Sequence, residues 1–136
     1  MVPRACLDAG VIALYFQQDP PEKIVALFQS INNDKIEAVV PEPILIEVFK
    51  NLCVPLGKDF ATSAINTFFN TIKARFVSLS RPLIVSAGKL KCQHRSVLSY
   101  NDAIVIAASL QEKATLHTTE KELPKIPGLN VVKYEF

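Results

Sequence analysis

Apolar and polar positions alternate along the chain in a way that predicts short strands separated by helices. Apolar residues recur at helical spacing in segments that predict helices at 10–17, 20–32, 43–55, 58–74, 82–94 and 100–113. Short apolar runs between them predict strands at 3–8, 37–40, 75–79, 115–118 and 129–134. Several prolines lie at or near these boundaries, because proline interrupts both helices and strands.

Helical segments separate most of the predicted strands, which is typical of a parallel sheet covered by helices on both faces. We therefore expect a three-layer α/β/α sandwich with a mostly parallel sheet of about five short strands. Right-handed crossovers would bring the carboxyl ends of the strands to one edge, where ligand sites form. Because the chain has 136 residues and no evident linker or repeat, we expect residues 1–136 to form one domain.

The composition of the chain argues against several classes of protein. Hydrophobic residues make up 49% of the chain and charged residues 21%, which argues against disorder. Its apolar runs are shorter than the roughly 20 residues that span a bilayer, and we see no secretory signal. The three cysteines, an odd number and widely spaced, are expected to be reduced core thiols of a cytoplasmic protein. A net charge of +2 does not by itself indicate nucleic-acid binding.

Four acidic residues lie where ligand-binding side chains are expected. Asp8 and Glu120 follow predicted strands, Asp102 lies in the first turn of an apolar helix, and Glu47 borders the buried stripe of another. Each has an ordinary structural alternative, such as a helix cap, a lysine partner or a solvated turn, and Glu122 could replace Glu120. We expect the four carboxylates to meet closely enough to share a cation.

The chemistry of such a cluster favours a hard divalent metal. Crowded carboxylates raise one another's pKa unless a cation neutralises them. Oxygen ligands without Cys or His select Mg²⁺ or Mn²⁺, ions that commonly act on phosphate esters. Neither His94 nor His117 has an evident nucleophilic partner, so both are expected to be surface or structural residues. The four glycines do not cluster into a phosphate-binding loop.

Four short motifs together resemble the PIN-domain ribonucleases, a family that includes the VapC toxins of prokaryotic toxin–antitoxin pairs. They are Leu7-Asp8, Ile46-Glu47-Val48, Ser99-Tyr100-Asn101-Asp102-Ala103, and the run from Leu116 to Leu123. The resemblance covers nearly the whole chain. It implies an Mg²⁺- or Mn²⁺-dependent endoribonuclease in which the catalytic metal ligands are Asp8, Glu47, Asp102 and Glu120. It also implies an RNA substrate, a homodimer and an antitoxin partner.

Two departures from the family pattern leave an alternative open. Ala9 and Gly10 stand where the family has a hydroxyl residue and a small polar residue, and Glu120 replaces an aspartate. The alternative is a catalytically weak or inactive PIN-like module that binds RNA or a protein. A phosphatase is disfavoured, because Gly10 stands where an Asp-x-Asp motif would place its second aspartate.

Two further pairs are candidate contact residues. Lys91 and Arg95 lie one helical turn apart and could bind RNA phosphates, although a basic helix face is more often only solvated. Phe68 and Phe69 could serve the homodimer, although such a pair more often belongs to the core.

Overall fold

The computed structural model describes residues 2–136 and contains one parallel sheet. Its five strands are arranged in the order β3-β2-β1-β4-β5, and every neighbouring pair is parallel. The strands are Arg4–Leu7 (β1), Glu37–Pro41 (β2), Ala74–Val77 (β3), Thr115–Thr118 (β4) and Val131–Lys133 (β5). The predicted sheet of about five short parallel strands is confirmed.

Six helices flank this sheet. They are Ala9–Tyr15 (α1), Glu22–Asn32 (α2), Leu45–Leu56 (α3), Lys58–Thr71 (α4), Arg81–Gln93 (α5) and Tyr100–Gln111 (α6). A single 3₁₀ turn, Glu42–Ile44, precedes α3. The crossovers from β1 to β2 and from β2 to β3 run in one direction along the sheet, and the crossover from β3 to β4 runs in the opposite direction. Because such connections are right-handed, α1–α4 lie on one face of the sheet and α5 and α6 lie on the other. This confirms the α/β/α sandwich.

The ends of several elements differ from the sequence prediction. Helix α4 ends at Thr71 because Ile72 is extended, with φ −89° and ψ 126°. Strand β5 covers only Val131–Lys133, since it lies at the sheet edge and its pairing with β4 is limited to three residues. Pro55 lies inside the last turn of α3, and the residue that caps the end of this helix is Gly57, whose φ of +92° favours glycine.

The core lies between the sheet and its two helix layers. Helix α6 is buried around most of its circumference, and the central strands β1 and β2 are almost entirely buried. Cys6 lies in this core, and burial raises the pKa of its thiol to about 12. Cys53 is half-buried and Cys92 is exposed, so the expectation that all three are core thiols is wrong for Cys92. Among residues 2–136, no helix has the length and apolar character needed to span a membrane.

The sheet order creates a crevice at one place. The chain leaves β1 toward β2 on one side, whereas β4 lies on the other side of β1. The connection that leaves β1 and the connection from β4 to β5 therefore run in opposite directions at the carboxyl ends of β1 and β4, the usual position of a ligand site in such sheets.

Candidate metal centre

Asp8 lies in this crevice, directly after β1. Its side chain is buried, with 8% of the residue exposed. One carboxylate oxygen accepts a hydrogen bond of 2.8 Å from the backbone N–H of Ala9, at the first turn of α1. The other accepts a 2.6 Å hydrogen bond from the hydroxyl of Thr118 on β4. Asp8 therefore caps a helix and also faces the crevice.

The ionisation of Asp8 is strongly perturbed. Burial raises the pKa of its carboxyl to about 6, and the negative charges of Asp102 and Glu47 add to that rise. The hydrogen bonds from Thr118 and Ala9 oppose it, because they stabilise the ionised form. A bound cation would offset the repulsion between this buried carboxylate and its acidic neighbours.

Thr118 connects two of the predicted acids. Its hydroxyl donates to Asp8 and accepts a 2.9 Å hydrogen bond from the backbone N–H of Glu120. Thr118 is fully buried, so its bond to Asp8 is shielded from water, and its bond to Glu120 is partly shielded. The end of β4 thus holds the Asp8 carboxylate in one orientation and fixes the start of the segment that carries Glu120.

Glu47 reaches the crevice from the first turn of α3. It is half-buried, and its carboxylate accepts a 2.6 Å hydrogen bond from the side-chain amide of Asn101, which lies at the start of α6. The two residues come from opposite helix layers, so this bond crosses the carboxyl edge of the sheet. Asn101 therefore orients Glu47.

Asp102 lies in the same helical turn as Asn101 and takes part in a capping box. The Ser99 hydroxyl accepts a hydrogen bond from the Asp102 backbone N–H, and the Asp102 carboxylate accepts one from the Ser99 backbone N–H, each at 3.0 Å. The cap explains why an acid begins this helix. Asp102 is partly exposed, and one of its two carboxylate oxygens, Oδ1, accepts no hydrogen bond among the described residues.

Glu120 lies two residues beyond β4 and is the most exposed of the four. Partial burial raises the pKa of its carboxyl, and the charges of Asp102, Glu47 and Glu122 raise it further. Glu122 is thus a close acidic neighbour, and it remains the alternative fourth acid.

The structure brings the four acids to one edge but does not close them around a shared point. The charges of Glu47 and Asp102 raise the pKa of both Asp8 and Glu120, which places all four within electrostatic reach. In the described part of the chain, however, no three Asp, Glu, His or Cys side chains lie closely enough to hold a metal ion. The expected cation-sharing distance is therefore not present in this arrangement. In it, Asp8, Glu47 and Asp102 each accept hydrogen bonds from protein donors.

The donor set still suits a hard divalent cation. It consists entirely of carboxylate oxygens, the ligands that Mg²⁺ and Mn²⁺ prefer. Three of the four side chains have protein groups that orient them, Thr118, Asn101 and Ser99. A cation would offset the repulsion that raises the Asp8 pKa.

The sequence of this chain matches the sequence model of the PIN domain over residues 5–129. The chain belongs to the PIN domain family. The resemblance carried by the four short motifs is therefore confirmed.

Solved structures share the PIN fold at low sequence identity. VapBC2 of Rickettsia felis, solved with a promoter DNA fragment, has a TM-score of 0.77 at 16% identity, covering 97% of this chain and 99% of that one. The sarcin–ricin-loop-cleaving toxin VapC20 of Mycobacterium tuberculosis gives 0.68 at 15%, covering 87% and 89%. A toxin–antitoxin complex of Klebsiella pneumoniae gives 0.66 at 18%, covering 97% and 99%. No curated protein matches the chain significantly. These likenesses show the fold.

The fold explains one departure from the PIN pattern. A Cβ on Gly10 would lie 2.2 Å from the side-chain hydroxyl oxygen of Thr119, so a larger residue would force Thr119 to move. Ala9 is fully buried and contributes no hydroxyl, but Thr118 supplies one to Asp8 from the neighbouring strand. The Asp8 carboxylate therefore has a hydroxyl partner even though no hydroxyl residue follows it in the sequence.

The two predicted RNA contacts, Lys91 and Arg95, lie at the end of α5 and in the loop after it. The Lys91 ammonium donates to the backbone carbonyls of Leu98 at 2.6 Å and Arg95 at 3.0 Å, so it holds the loop that leads to α6. Arg95 is exposed. Sequence reasoning did not identify Thr118 or Asn101 as supports of the site. A polar residue at a strand end or beside an acid was the only available signal.

His117 provides a pH-dependent contrast with Asp8 in this PIN domain. Its Nδ1 lies 2.7 Å from the Tyr134 hydroxyl, and burial lowers the pKa of its imidazole from 6.5 to about 4. Between about pH 4 and pH 6.5, unfolding therefore takes up a proton at His117. The contribution of His117 to the free energy of unfolding decreases as the pH falls through this range. Asp8 has the opposite effect, because its pKa rises from 3.8 to about 6 on folding.

We expect the two effects to offset each other in the wild type between about pH 4 and pH 6. In Asp8→Asn the His117 effect should be unmasked, so the free energy of unfolding should decrease more steeply with acid than in the wild type. Urea denaturation at several pH values in this range measures it. An identical pH dependence of the two proteins would contradict these assignments.

Proposed function

We propose that this protein is a metal-dependent endoribonuclease that hydrolyses RNA phosphodiester bonds. The observation that carries the proposal is the buried Asp8 carboxylate at the carboxyl edge of a PIN-domain sheet, with the charges of Glu47 and Asp102 acting on it. A protein that only needed a helix cap there would not require two further acids beside it. Nuclease chemistry accounts for all of them.

Asp8, Glu47 and Asp102 would hold Mg²⁺ or Mn²⁺, and Glu120 would bind through water or position a second ion. Such an ion supplies Lewis acidity, which activates water and offsets charge on the phosphoryl oxygens. The protein's own contribution is orientation: Thr118 fixes Asp8, Asn101 fixes Glu47, and the backbone N–H of Ser99 fixes the Asp102 carboxylate. Water would attack phosphorus directly, without a covalent enzyme intermediate.

We further propose that the protein is the toxin of a toxin–antitoxin pair, with an antitoxin protein as partner and a homodimer as its working form. Three of the structures that share its fold are a VapBC complex, a toxin and a toxin–antitoxin complex. We propose that residues 1–136 act as one PIN domain, since the family match spans residues 5–129.

A second candidate function is a catalytically weak or inactive PIN-domain module that binds RNA or a protein. It is favoured by the hydrogen bonds that occupy Asp8, Glu47 and Asp102, and by the lack of any three metal-holding side chains at short range among residues 2–136. The two functions differ in whether RNA is cleaved.

The proposal is tested by comparing the rates of RNA cleavage of two matched variants at the start of α6. Asp102→Asn keeps a side-chain oxygen that can accept from the Ser99 N–H but removes the charge, and should lower Mn²⁺-dependent cleavage of single-stranded RNA by about 100-fold or more. Ser99→Ala removes the side-chain half of the capping box, at a cost of about 1 kcal/mol of stability, and keeps the backbone N–H that holds the Asp102 carboxylate. We therefore expect Ser99→Ala to cleave at close to the wild-type rate below its melting temperature.

Cleavage of RNA by the wild type that is unaffected by chelation of divalent metal would contradict the proposal. Binding of RNA without cleavage, in the presence of Mn²⁺ or Mg²⁺ and across several RNA sequences, would favour the second candidate function.

A further inference from the structure

A groove of about 530 Å³ lies between α5 and α6, outside the acidic site. Its volume is in the range of small-molecule pockets, which are mostly apolar with a few polar groups. Apolar side chains form most of its wall, and they include Leu79, Ile84, Ala87 and Ile104. Leu79 and Ile84 are 43% and 54% exposed, so this apolar surface is open to a ligand. We call it the α5–α6 groove.

The charges of the α5–α6 groove favour an anionic ligand. Lys91 and Arg95 line it, and none of its lining residues is acidic. Neither cation forms a salt bridge with any residue from 2 to 136. An apolar wall with a cationic rim fits a ligand that carries both a flat apolar group and a negative charge.

Tyr100 adds an aromatic surface to the same groove. The residue is 75% exposed, and the Lys91 ammonium lies 4.9 Å from the ring centroid. Because that ammonium also binds the carbonyls of Leu98 and Arg95, the lysine holds a defined position beneath the ring. An exposed ring supported in this way can stack on a nucleobase at a low entropic cost.

The position of Tyr100 connects the groove to the acidic site. Tyr100 begins α6, and the next two residues are Asn101, which binds Glu47, and Asp102. A chain that passes over this helix start would therefore place one nucleotide in the groove while a neighbouring phosphate reaches the carboxylates.

We infer that the α5–α6 groove binds an unpaired RNA nucleotide next to the bond that is cleaved. Its base packs on the apolar wall and Tyr100, and its phosphate is held at Arg95. The inference rests on the proposed function, and it specifies the substrate as single-stranded or looped RNA, because a paired base cannot turn into a groove. Stacking and backbone contacts of this kind tolerate different bases.

Gly88 offers a direct test because it lines the groove and has nothing within 4 Å of the position that a Cβ would take. Gly88→Leu fills the groove without a steric conflict at the Cβ, and Gly88→Ala is its matched control. The probes are fluorescent single-stranded RNA hexamers, either complete or with one abasic nucleotide placed at each position in turn. Affinity is measured by anisotropy in EDTA, so that no cleavage occurs.

We expect the wild type and Gly88→Ala to bind the complete RNA about tenfold more tightly than the abasic RNA with the gap at one particular position. Gly88→Leu should lose that difference. Arg95→Gln should weaken the binding of complete and abasic RNA equally and reduce the salt dependence of both. Circular dichroism of each variant verifies that the helices are retained.

The inference is overturned if Gly88→Leu and Gly88→Ala discriminate equally between complete and abasic RNA, or if the wild type binds neither. A change of oligomeric state in Gly88→Leu with unchanged RNA affinity would assign the groove to a contact between copies, and would also overturn it. Since affinity is measured without metal, an absence of metal-dependent cleavage would count against the nuclease proposal alone.

Discussion

Asp8→Asn is expected to lower RNA cleavage by about 1,000-fold and, at the same time, to stabilise the metal-free protein at neutral pH. The activity is lost because the variant removes the most buried of the proposed metal ligands. RNA affinity should change little, since it comes mainly from lysine and arginine contacts to phosphate. The stability gain follows from the ionisation of Asp8.

The direction of that gain follows from the pKa. Burial, with the charges of Asp102 and Glu47, raises the pKa of Asp8 from 3.8 to about 6 on folding, so its contribution to stability decreases as the pH rises from about 4 to about 6. A shift of about two units corresponds to at most about 3 kcal/mol. Asparagine avoids this cost and can still accept from Ala9, while the Thr118 hydroxyl turns to accept from the amide.

Urea denaturation at about pH 8 in EDTA measures the stability change, and gel-based cleavage with Mn²⁺ measures the activity. Asp19→Asn, the same change at an exposed position, is the control and should alter neither. If Asp8→Asn cleaves RNA at the wild-type rate, Asp8 is not a ligand of the proposed metal site. A metal-free Asp8→Asn that is less stable than the wild type at this pH would contradict the energetic argument.

Phe68→Ala is expected to destabilise the protein by about 3–5 kcal/mol, whereas Phe69→Ala should cost less than about 1 kcal/mol. Phe68 is fully buried, and its ring centroid lies 6.2 Å from that of Phe16 and 5.9 Å from that of Phe76. Phe69 is 44% exposed and contacts Phe76 from outside the core. The expectation that such an aromatic pair belongs to the core is therefore wrong for Phe69.

The free energy of unfolding of both variants, from urea denaturation at low temperature, tests this contrast. Low temperature is needed because a loss of this size is a large part of the total stability of a small domain. Equal losses in the two variants would contradict the burial that distinguishes them. The exposed Phe69 also remains a candidate for the proposed homodimer, which sedimentation of Phe69→Ala examines.

Hydrophobic spacing predicted most of the fold because each helix and strand has its own local pattern. The order of strands in the sheet could not be predicted in the same way, since β1 pairs with β4 across more than a hundred residues of sequence. Local pattern also could not distinguish Phe68 from Phe69, or the exposed Cys92 from the buried Cys6. Those differences depend on what packs against each helix.

The candidate site was predictable as a set of positions and not as a set of contacts. Asp8, Asp102 and Glu120 could be placed because each lies at an element end, and parallel strands bring such ends to one edge. The bonds that orient Asp8 and Glu47 join distant residues: Thr118 and Asp8 are 110 positions apart, and Asn101 and Glu47 are 54 apart. No local sequence pattern encodes such pairs.

The most direct test of the proposed metal centre is a crystal structure of the wild type with Mn²⁺, located by anomalous scattering. The account predicts an anomalous peak at the carboxyl ends of β1 and β4, within direct ligand distance of Asp8 and Asp102, and no such peak in Asp8→Asn crystals treated in the same way. Full occupancy of Mn²⁺ at a different place, with the Asp8 and Asp102 carboxylates still bound only to Thr118, Ala9 and Ser99, would contradict it.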